Sequence, residues 1–253
     1  MGLFRKRHAT PQATGQDPIA RDSPARVWLD VPFAEKDQAK ALGARFDGDV
    51  RRWYAPVGRA EALSRWAAPD IPDLLPGEDR GFGVGLFVDL VPSSCWFTNV
   101  RYCVTGRDWE RLRRMILGRA AHRCEACGQG EDRPARRWLE AHERWAYDDR
   151  SGVQTLRRLI CLCTPCHTAT HFGLAQLRGR DVEAFQHLCT VTGMTDQQGN
   201  DHVDAAFALW RQRSARSWAL DLSMLTTAGV TLAVPPHAAN RAAIARRTLD
   251  DIR

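Results

Sequence analysis

The sequence predicts an α+β protein in three parts: a small βαββ module, a central ββα zinc finger and a helical C-terminal extension. Three observations predict this fold class. Apolar residues alternate around a helical stretch near the N-terminus, two Cys-x-x-Cys pairs stand 35 residues apart, and helical periodicity dominates the last third. The expected boundaries are 1–24 for a disordered lead-in, 25–66 for the small module, 67–80 for a linker, 81–175 for the zinc-binding domain and 176–253 for the extension.

Composition excludes several classes of protein. Of the 253 residues, 44% are hydrophobic, which is ample for packed cores and argues against a disordered protein. We find neither the roughly 18-residue apolar run of a membrane helix nor the apolar core of a secretory signal, so we expect a cytoplasmic protein with no membrane partner. The net charge is +6, and residues 101–180 carry 16 Arg against nine acidic residues. This balance permits a nucleic-acid partner.

The segment 25–66 has the pattern of a small βαββ module. Apolar residues alternate over 27–31 as in a strand, and residues 34–42 contain no helix breaker, so we expect a helix there. Gly43 follows in the usual position of a helix C-cap. A turn signal and then the aromatic stretch 52–56 predict a hairpin with a returning strand.

One set of residues in this module carries a family resemblance: Asp37, Ala39, Gly43, Ala44, Phe46 and Asp47, followed by Arg52-Trp53-Tyr54-Ala55-Pro56. They resemble a small domain of unknown function that recurs in plasmid TraC-type primases. The resemblance covers about 26–56. It implies an association with DNA-handling proteins and no chemistry of the module's own. Alternatively, the module only packs, and Trp28, Trp53 and Tyr54 are its core.

Further elements are expected around the cysteine-rich region. The apolar stretch 81–102 predicts one or two strands, and residues 108–121 have the pattern of an amphipathic helix. Residues 176–215 are helical in pattern again. Thr195, with Gln198 three residues later, has the spacing of a capping box at a helix start.

Four of the eight cysteines indicate a metal site. Cys124 and Cys127 form one Cys-x-x-Cys knuckle, and Cys163 and Cys166 form the other. Each knuckle places two thiolates across a tight turn, and four thiolates can close one tetrahedral Zn²⁺ site. Ordinary buried thiols are the alternative, but they give no account of two matched pairs. The sequence therefore predicts one structural Zn²⁺ with these four ligands.

Histidines and a glutamate surround the second knuckle at metal-ligand spacing. If a helix begins near Pro165, His167 and His171 share one face as i and i+4. Glu140 and His142 fall on one face of the strand-like stretch before them. A single histidine at one of these positions would indicate an ordinary structural residue, whereas three histidines predict a second metal or anion site. Three other histidines have no such context and are assigned to structure or surface: His122, His187 and His202.

The order of these residues resembles the zinc-ribbon branch of the HNH endonucleases, and more closely a bacterial HNH-like subgroup of unassigned role. The resemblance covers 119–173, with the four cysteines and three histidines as its fixed points. It implies that a ββα-metal finger hydrolyses nucleic-acid phosphodiester bonds. His167 and His171 with a carboxylate, here Glu140 or alternatively Glu143, would hold a catalytic Mg²⁺ or Zn²⁺. His142 would act as the general base, with Glu140 beside it.

The same resemblance implies a nucleic-acid partner, with DNA expected, and no other partner is specified. Arginines flanking the finger would neutralise phosphates, and the residues assigned to this role are Arg136, Arg137 and Arg158. Two departures from the family pattern leave a second function open. Ala141 stands where the family has a metal-ligating Asp or His, and Arg158 stands where it has Asn. The alternative to an endonuclease is a catalytically degenerate zinc-binding module that binds DNA or a partner without cutting.

Overall fold

The structure, a computed structural model, describes residues 26–49, 51–67, 71–96 and 98–233. The expected lead-in at 1–24 and the end of the expected helical extension, 234–253, lie outside the described residues. The chain divides into two units, Met1–Pro69 and Asp70–Arg253. Both units mix helices and strands, which confirms the α+β class.

The first unit is a three-stranded antiparallel sheet with one short helix. Its strands are β1 (Val27–Leu29), β2 (Arg45–Asp47) and β3 (Arg52–Ala55), in the order β1-β3-β2. Helix α1 (Lys36–Ala41) connects β1 to β2 and is preceded by a 3₁₀ turn at Phe33–Glu35. This is the strand, helix and hairpin order that the sequence predicts.

The core of the first unit lies between α1 and one face of the sheet. Its buried residues are Leu29, Ala39, Ala44, Ala55, Leu63 and Trp66. Trp53 packs against this cluster from β3. Gly43 has a φ of +94° just after α1, a conformation that glycine adopts at no steric cost, so it ends the helix as expected.

A long antiparallel hairpin forms the centre of the second unit. Strand β4 (Leu139–Asp148) pairs with β5 (Val153–Cys163), with a bulge after Arg144. Helix α4 (Thr164–Thr170) begins directly after β5, where Pro165 occupies the first turn and needs no hydrogen-bond partner. Strand β5 also pairs in parallel with the short strand β6 (Ala219–Asp221).

One side of the hairpin packs against helices from both ends of the unit. They are α2 (Val100–Cys103), α3 (Gly106–Arg119) and α8 (Ser223–Thr227). Leu112 and Ile116 of α3 are fully buried in the resulting core with Leu159 of β5. The apolar stripe on α3 is the one that the sequence pattern predicts.

A second core lies around α4 and the helices that follow. These helices are α5 (Phe172–Leu177), α6 (Asp181–Thr192) and α7 (Asp196–Ser214). Phe172 and Leu188 are buried there with Cys163 and Cys166. Both halves of the predicted capping box, Thr195 with Gln198, are present at the start of α7. Among the described residues, no helix combines the length and apolar composition that crossing a bilayer requires.

The expectation of strands over 81–102 is wrong for the described residues of that stretch. They contain a 3₁₀ turn at Ser93–Cys95 and helix α2. Gly83 and Gly85 have φ values of +60° and +80°, which break the extended backbone. At Gly83, a Cβ would lie 3.1 Å from Cδ of the buried Arg144. The glycines therefore let the backbone pack closely against the Arg144 side chain instead of pairing as a β-strand.

The predicted linker, 67–80, differs from the structure over its described part. Leu75 is buried in the core beside α3. Glu78 accepts hydrogen bonds from the Arg119 side chain and from the backbone N–H of Leu159. Both side chains of this ion pair are almost completely buried. The proline-rich composition resembles that of a linker, but residues 71–80 are a packed segment of the second unit.

Candidate metal centres

The first cysteine knuckle is a tight turn held against the hairpin. It follows α3, and the backbone N–H of Gly128 donates to the carbonyl of Cys124 across the turn. Gly128 has a φ of +74°, which the turn requires and which glycine adopts freely. The backbone N–H of Glu125 donates to the carbonyl of Cys161 on β5. These bonds fix the knuckle beside the end of β5.

The second knuckle completes a four-sulfur cluster. Cys163 is the last residue of β5 and Cys166 lies in the first turn of α4. The Sγ atoms of these two residues and of Cys124 and Cys127 lie within 4.8 Å of one another. The Cys127 and Cys163 sulfurs are 3.6 Å apart, far beyond the ~2.05 Å of a disulfide. Tetrahedral Zn–S bonds of ~2.3 Å place two sulfurs ~3.8 Å apart, so the cluster could hold a structural Zn²⁺.

The cysteine side chains of the cluster hydrogen-bond to one another. Thiols of Cys163 and Cys166 donate toward Cys124, and these contacts hold the pKa of Cys124 far below its ordinary value. The same contact with Cys124 raises the pKa of Cys163 to about 12 and raises that of Cys166 further. Four adjacent thiolates repel one another strongly, whereas a divalent cation would stabilise all four.

A histidine from the helical extension touches the cluster. Nε2 of His187, on α6, lies 3.1 Å from Sγ of Cys166. An imidazole N–H at this distance can donate to a metal-bound thiolate and orient it. No sequence pattern predicts this contact, because His187 is 21 residues from Cys166 and in no ligand spacing. Its assignment to structure or surface missed its position beside a sulfur ligand.

Three histidines meet a short distance away. His142 comes from the middle of β4, His167 from α4, and His171 directly follows α4. One ring nitrogen from each lies within 4.8 Å of the others. The ring centroids are 4.6–5.2 Å apart and each pair of rings is close to perpendicular. This is the convergence of His142, His167 and His171 that their spacing predicts.

His142 forms the floor of this His cluster. Only 3% of its surface is exposed, and neither ring nitrogen has a hydrogen-bond partner within the described part of the chain. Burial holds the pKa of His142 well below its ordinary value, and the nearby His171, His167 and Arg144 lower it further. Leaving two buried nitrogens without partners costs free energy in the absence of a ligand. Neutral imidazole is also the form that binds a metal, so the donor set fits one.

The other two histidines of the cluster lie closer to solvent than His142. Burial and the neighbouring His167 and Arg144 lower the pKa of His171 to about 3. His167 is 27% exposed, and its Nδ1 lies 3.2 Å from Oε2 of Glu140. The Glu140 side chain is 38% exposed. Glu140 therefore stands at the open rim of the His cluster, on the strand face that carries His142 two residues later.

A buried cation lies next to the His cluster. Arg144 follows His142 by two residues on β4 and its side chain has no solvent exposure. Its guanidinium stacks 4.0 Å from the centroid of Phe87 and lies 3.7 Å from a carboxylate oxygen of Asp89. Burial raises the pKa of Asp89 despite this neighbour. Arg144 was missed from sequence, since its partners lie in a distant irregular segment.

The three arginines assigned to nucleic acid have different surroundings. Arg136 is exposed in the turn before β4. Arg137 is half-buried and donates to Asp132 and to the Gly130 carbonyl. Arg158 is 4% exposed and its guanidinium donates to Glu125 at 3.0 Å. Arg158 therefore lies inside the protein, and assigning it to a phosphate-binding surface is corrected on that ground.

Comparison with known proteins bears on the first unit. Residues 26–68 match a domain of unknown function, DUF5710. Two DNA primases TraC of Escherichia coli are similar to this chain, one 48% identical over 56 residues and the other 40% identical over 63 residues. These matches cover 21% and 24% of the chain but only 5% and 4% of the primases.

No solved structure matches the chain significantly. The family match covers residues 26–68, so the Cys and His clusters of the second unit stand on their geometry alone. The predicted resemblance to the small domain of TraC-type primases is confirmed by the match of residues 26–68 to the DUF5710 domain and by the similarity to the two primases.

Proposed function

We propose that the second unit is a metal-dependent nuclease of the HNH type. One observation carries the proposal, namely the convergence of His142, His167 and His171 where a β-hairpin meets a helix. The Cys cluster lies at the same junction, since Cys163 ends β5 and Cys166 begins α4. A hairpin, a following helix and a closed four-cysteine site support the resemblance to a ββα-metal finger.

The three imidazoles are the proposed ligand set of a second ion. His142 is assigned here as a ligand and not as the general base, because a ring that is 3% exposed cannot readily receive a proton from a solvent water. Imidazoles suit Zn²⁺ and related transition metals, whereas Mg²⁺ prefers oxygen ligands, so Zn²⁺ is favoured. When bound, such an ion polarises a phosphate and stabilises the leaving oxygen.

Glu140 is the proposed general base. It is the exposed carboxylate at the rim of the His cluster, where an incoming water can reach it. Its contact with His167 also orients that imidazole, as carboxylates commonly do for metal-binding histidines. A general base of this kind contributes about 10²–10⁴-fold to a rate.

Positive charge near the rim supports a polyanionic substrate. Trp138, two residues before Glu140, is 44% exposed and has the guanidinium of Arg133 6.0 Å from its ring centroid. Arg136 is exposed in the same turn. We propose DNA as the substrate class, in keeping with the TraC primases to which the first unit is similar.

The test is cleavage of labelled single- and double-stranded DNA by the full-length protein with Zn²⁺, Mn²⁺ or Mg²⁺. We expect Glu140→Gln to lower the rate about 10²–10⁴-fold while bound metal is unchanged. His171→Ala should lose both the rate and one metal ion. Glu183→Gln, which alters an exposed carboxylate on α6, is the matched control and should cleave like the parent.

A catalytically degenerate binding module is the second candidate, and two residues favour it. Arg158 replaces the family's Asn and is occupied by its ion pair with Glu125. Ala141 offers no ligand before His142. If the parent cleaves neither DNA form with any of the three metals, yet binds DNA with a clear salt dependence, this candidate replaces the nuclease.

A further inference from the structure

The sheet of the first unit has two different faces. In the register, Trp28 of β1 lies opposite Tyr54 of β3, which lies opposite Arg45 of β2. Leu29 and Trp53 occupy the next register position and point to the other face. Since Leu29 and Trp53 pack in the core beneath α1, Trp28 and Tyr54 lie on the face away from the helix.

Trp28 and Tyr54 form a pair outside the core. Their ring centroids are 6.1 Å apart in an edge-to-face arrangement, and both side chains are partly exposed. Neither belongs to the buried cluster of this unit nor packs against it, whereas Trp53 does. The expectation that all three aromatic residues are core is therefore wrong for Trp28 and Tyr54. Their position on the sheet needs another explanation.

Arginines surround this aromatic pair. The guanidinium of Arg26 lies 4.8 Å from the centroid of Tyr54, and that of Arg52 lies 5.2 Å from the centroid of Trp28. Arg45 is exposed beside Tyr54. Within the three strands, Asp47 is the one acidic residue on this face, and it pairs with Arg26 at 2.9 Å. The face thus carries two accessible ring systems and an excess of guanidinium groups.

We propose that this face binds single-stranded nucleic acid. Aromatic side chains on a sheet stack on bases, and neighbouring cations attract the phosphates between those bases. Rings can stack only on bases that are unpaired and splayed out, so the chemistry selects single strands over a duplex. The inference concerns the first unit alone and does not rest on the nuclease assignment of the second.

The experiment measures binding of the full-length protein to labelled oligodeoxythymidine of about 15 nucleotides, to oligouridine and to duplex DNA of equal length. We expect Trp28→Ala and Tyr54→Ala each to weaken single-strand binding by about 5- to 150-fold. Duplex binding should stay near the parent's. Trp28→Phe and Tyr54→Phe keep a stacking ring and should retain most of the affinity.

Phe33→Ala is the matched control, because Phe33 is 81% exposed in the same unit but lies outside the sheet. If either alanine variant loses its fold, Arg45→Glu provides the test, because the Arg45 side chain is exposed. Arg45→Glu should weaken single-strand binding and reduce the salt dependence of that binding. Parent-like single-strand affinity in both Trp28→Ala and Tyr54→Ala would overturn the proposal. If these two variants do not fold, parent-like affinity of Arg45→Glu would overturn it instead. An equal loss of duplex binding, or an equal loss in Phe33→Ala, would overturn it too. Comparing the thymidine and uridine oligomers distinguishes DNA from RNA.

Discussion

Two buried ion pairs hold neighbouring segments against the hairpin of the second unit. Arg119 with Glu78 and Arg158 with Glu125 are both largely removed from solvent. The cost of removing two charges from water offsets most of their mutual attraction, so such a pair adds little to the free energy of unfolding. Removing one partner is strongly destabilising, because the other charge then stays buried without compensation.

Arg158→Asn, which introduces the residue of the HNH pattern that the sequence resembles, is therefore expected to destabilise the protein. The change leaves Glu125 in the interior, where the exposed Arg80 is its remaining cationic partner among the described residues. The expected loss is about 3 kcal/mol in the free energy of unfolding, measured by chemical denaturation. Arg157→Asn removes an exposed pair with Asp79 and should cost less than about 1 kcal/mol. Equal effects of the two changes would contradict the structural role of Arg158.

Glu143 gives the second unit a specific pH dependence. Burial raises the pKa of Glu143 to about 7, against hydrogen bonds that include one from the Val100 N–H. The folded state thus keeps its proton at pH values where the unfolded state has lost it. Stability from this group is present below the unfolded pKa and falls as pH rises toward 7.

The free energy of unfolding should therefore fall by about 1 kcal/mol between pH 6 and pH 8. Glu143→Gln, which can still accept from Val100, should remove that decline, whereas Glu131→Gln at an exposed site should not. Denaturant titrations at several pH values measure the slope. A slope in Glu143→Gln as steep as the parent's would count against this account.

At the scale of elements, sequence patterns predicted what is local. The helical stripe of α3, the capping box of α7 and the i, i+4 pair on α4 each depend on residues a few positions apart. The irregular stretch around Gly83 could not be predicted, because its shape depends on the buried Arg144 from a distant strand. For the same reason the position of α6 beside the Cys cluster was missed.

The contact between α6 and the Cys cluster predicts a role for His187 in metal retention. His187→Ala should weaken Zn²⁺ binding about 10- to 100-fold, because Cys166 loses the donor that orients it. Competition with a chromophoric chelator measures the affinity. Gln186→Ala, at an exposed neighbouring position on α6, should bind Zn²⁺ like the parent. If both variants release the metal equally readily, His187 has no such role.

For the whole molecule, two units divide the proposed tasks. The first carries an aromatic and basic sheet face and no candidate metal cluster among its described residues. The second carries both cysteine and histidine clusters. The sequence predicted the members of both clusters because knuckles and helical spacing are local signals. It could not predict that His142 is buried with no hydrogen-bond partner among the described residues, because that burial depends on segments distant in the sequence.

The most direct test of the central claim is the metal content of the purified full-length protein after loading with Zn²⁺ and gel filtration. The account predicts about two ions per chain in the parent, one in each cluster. His142→Ala should retain about one ion, and so should His171→Ala, with the fold preserved by the four-cysteine site. A single ion in the parent, or two in both variants, would contradict a metal centre at His142, His167 and His171.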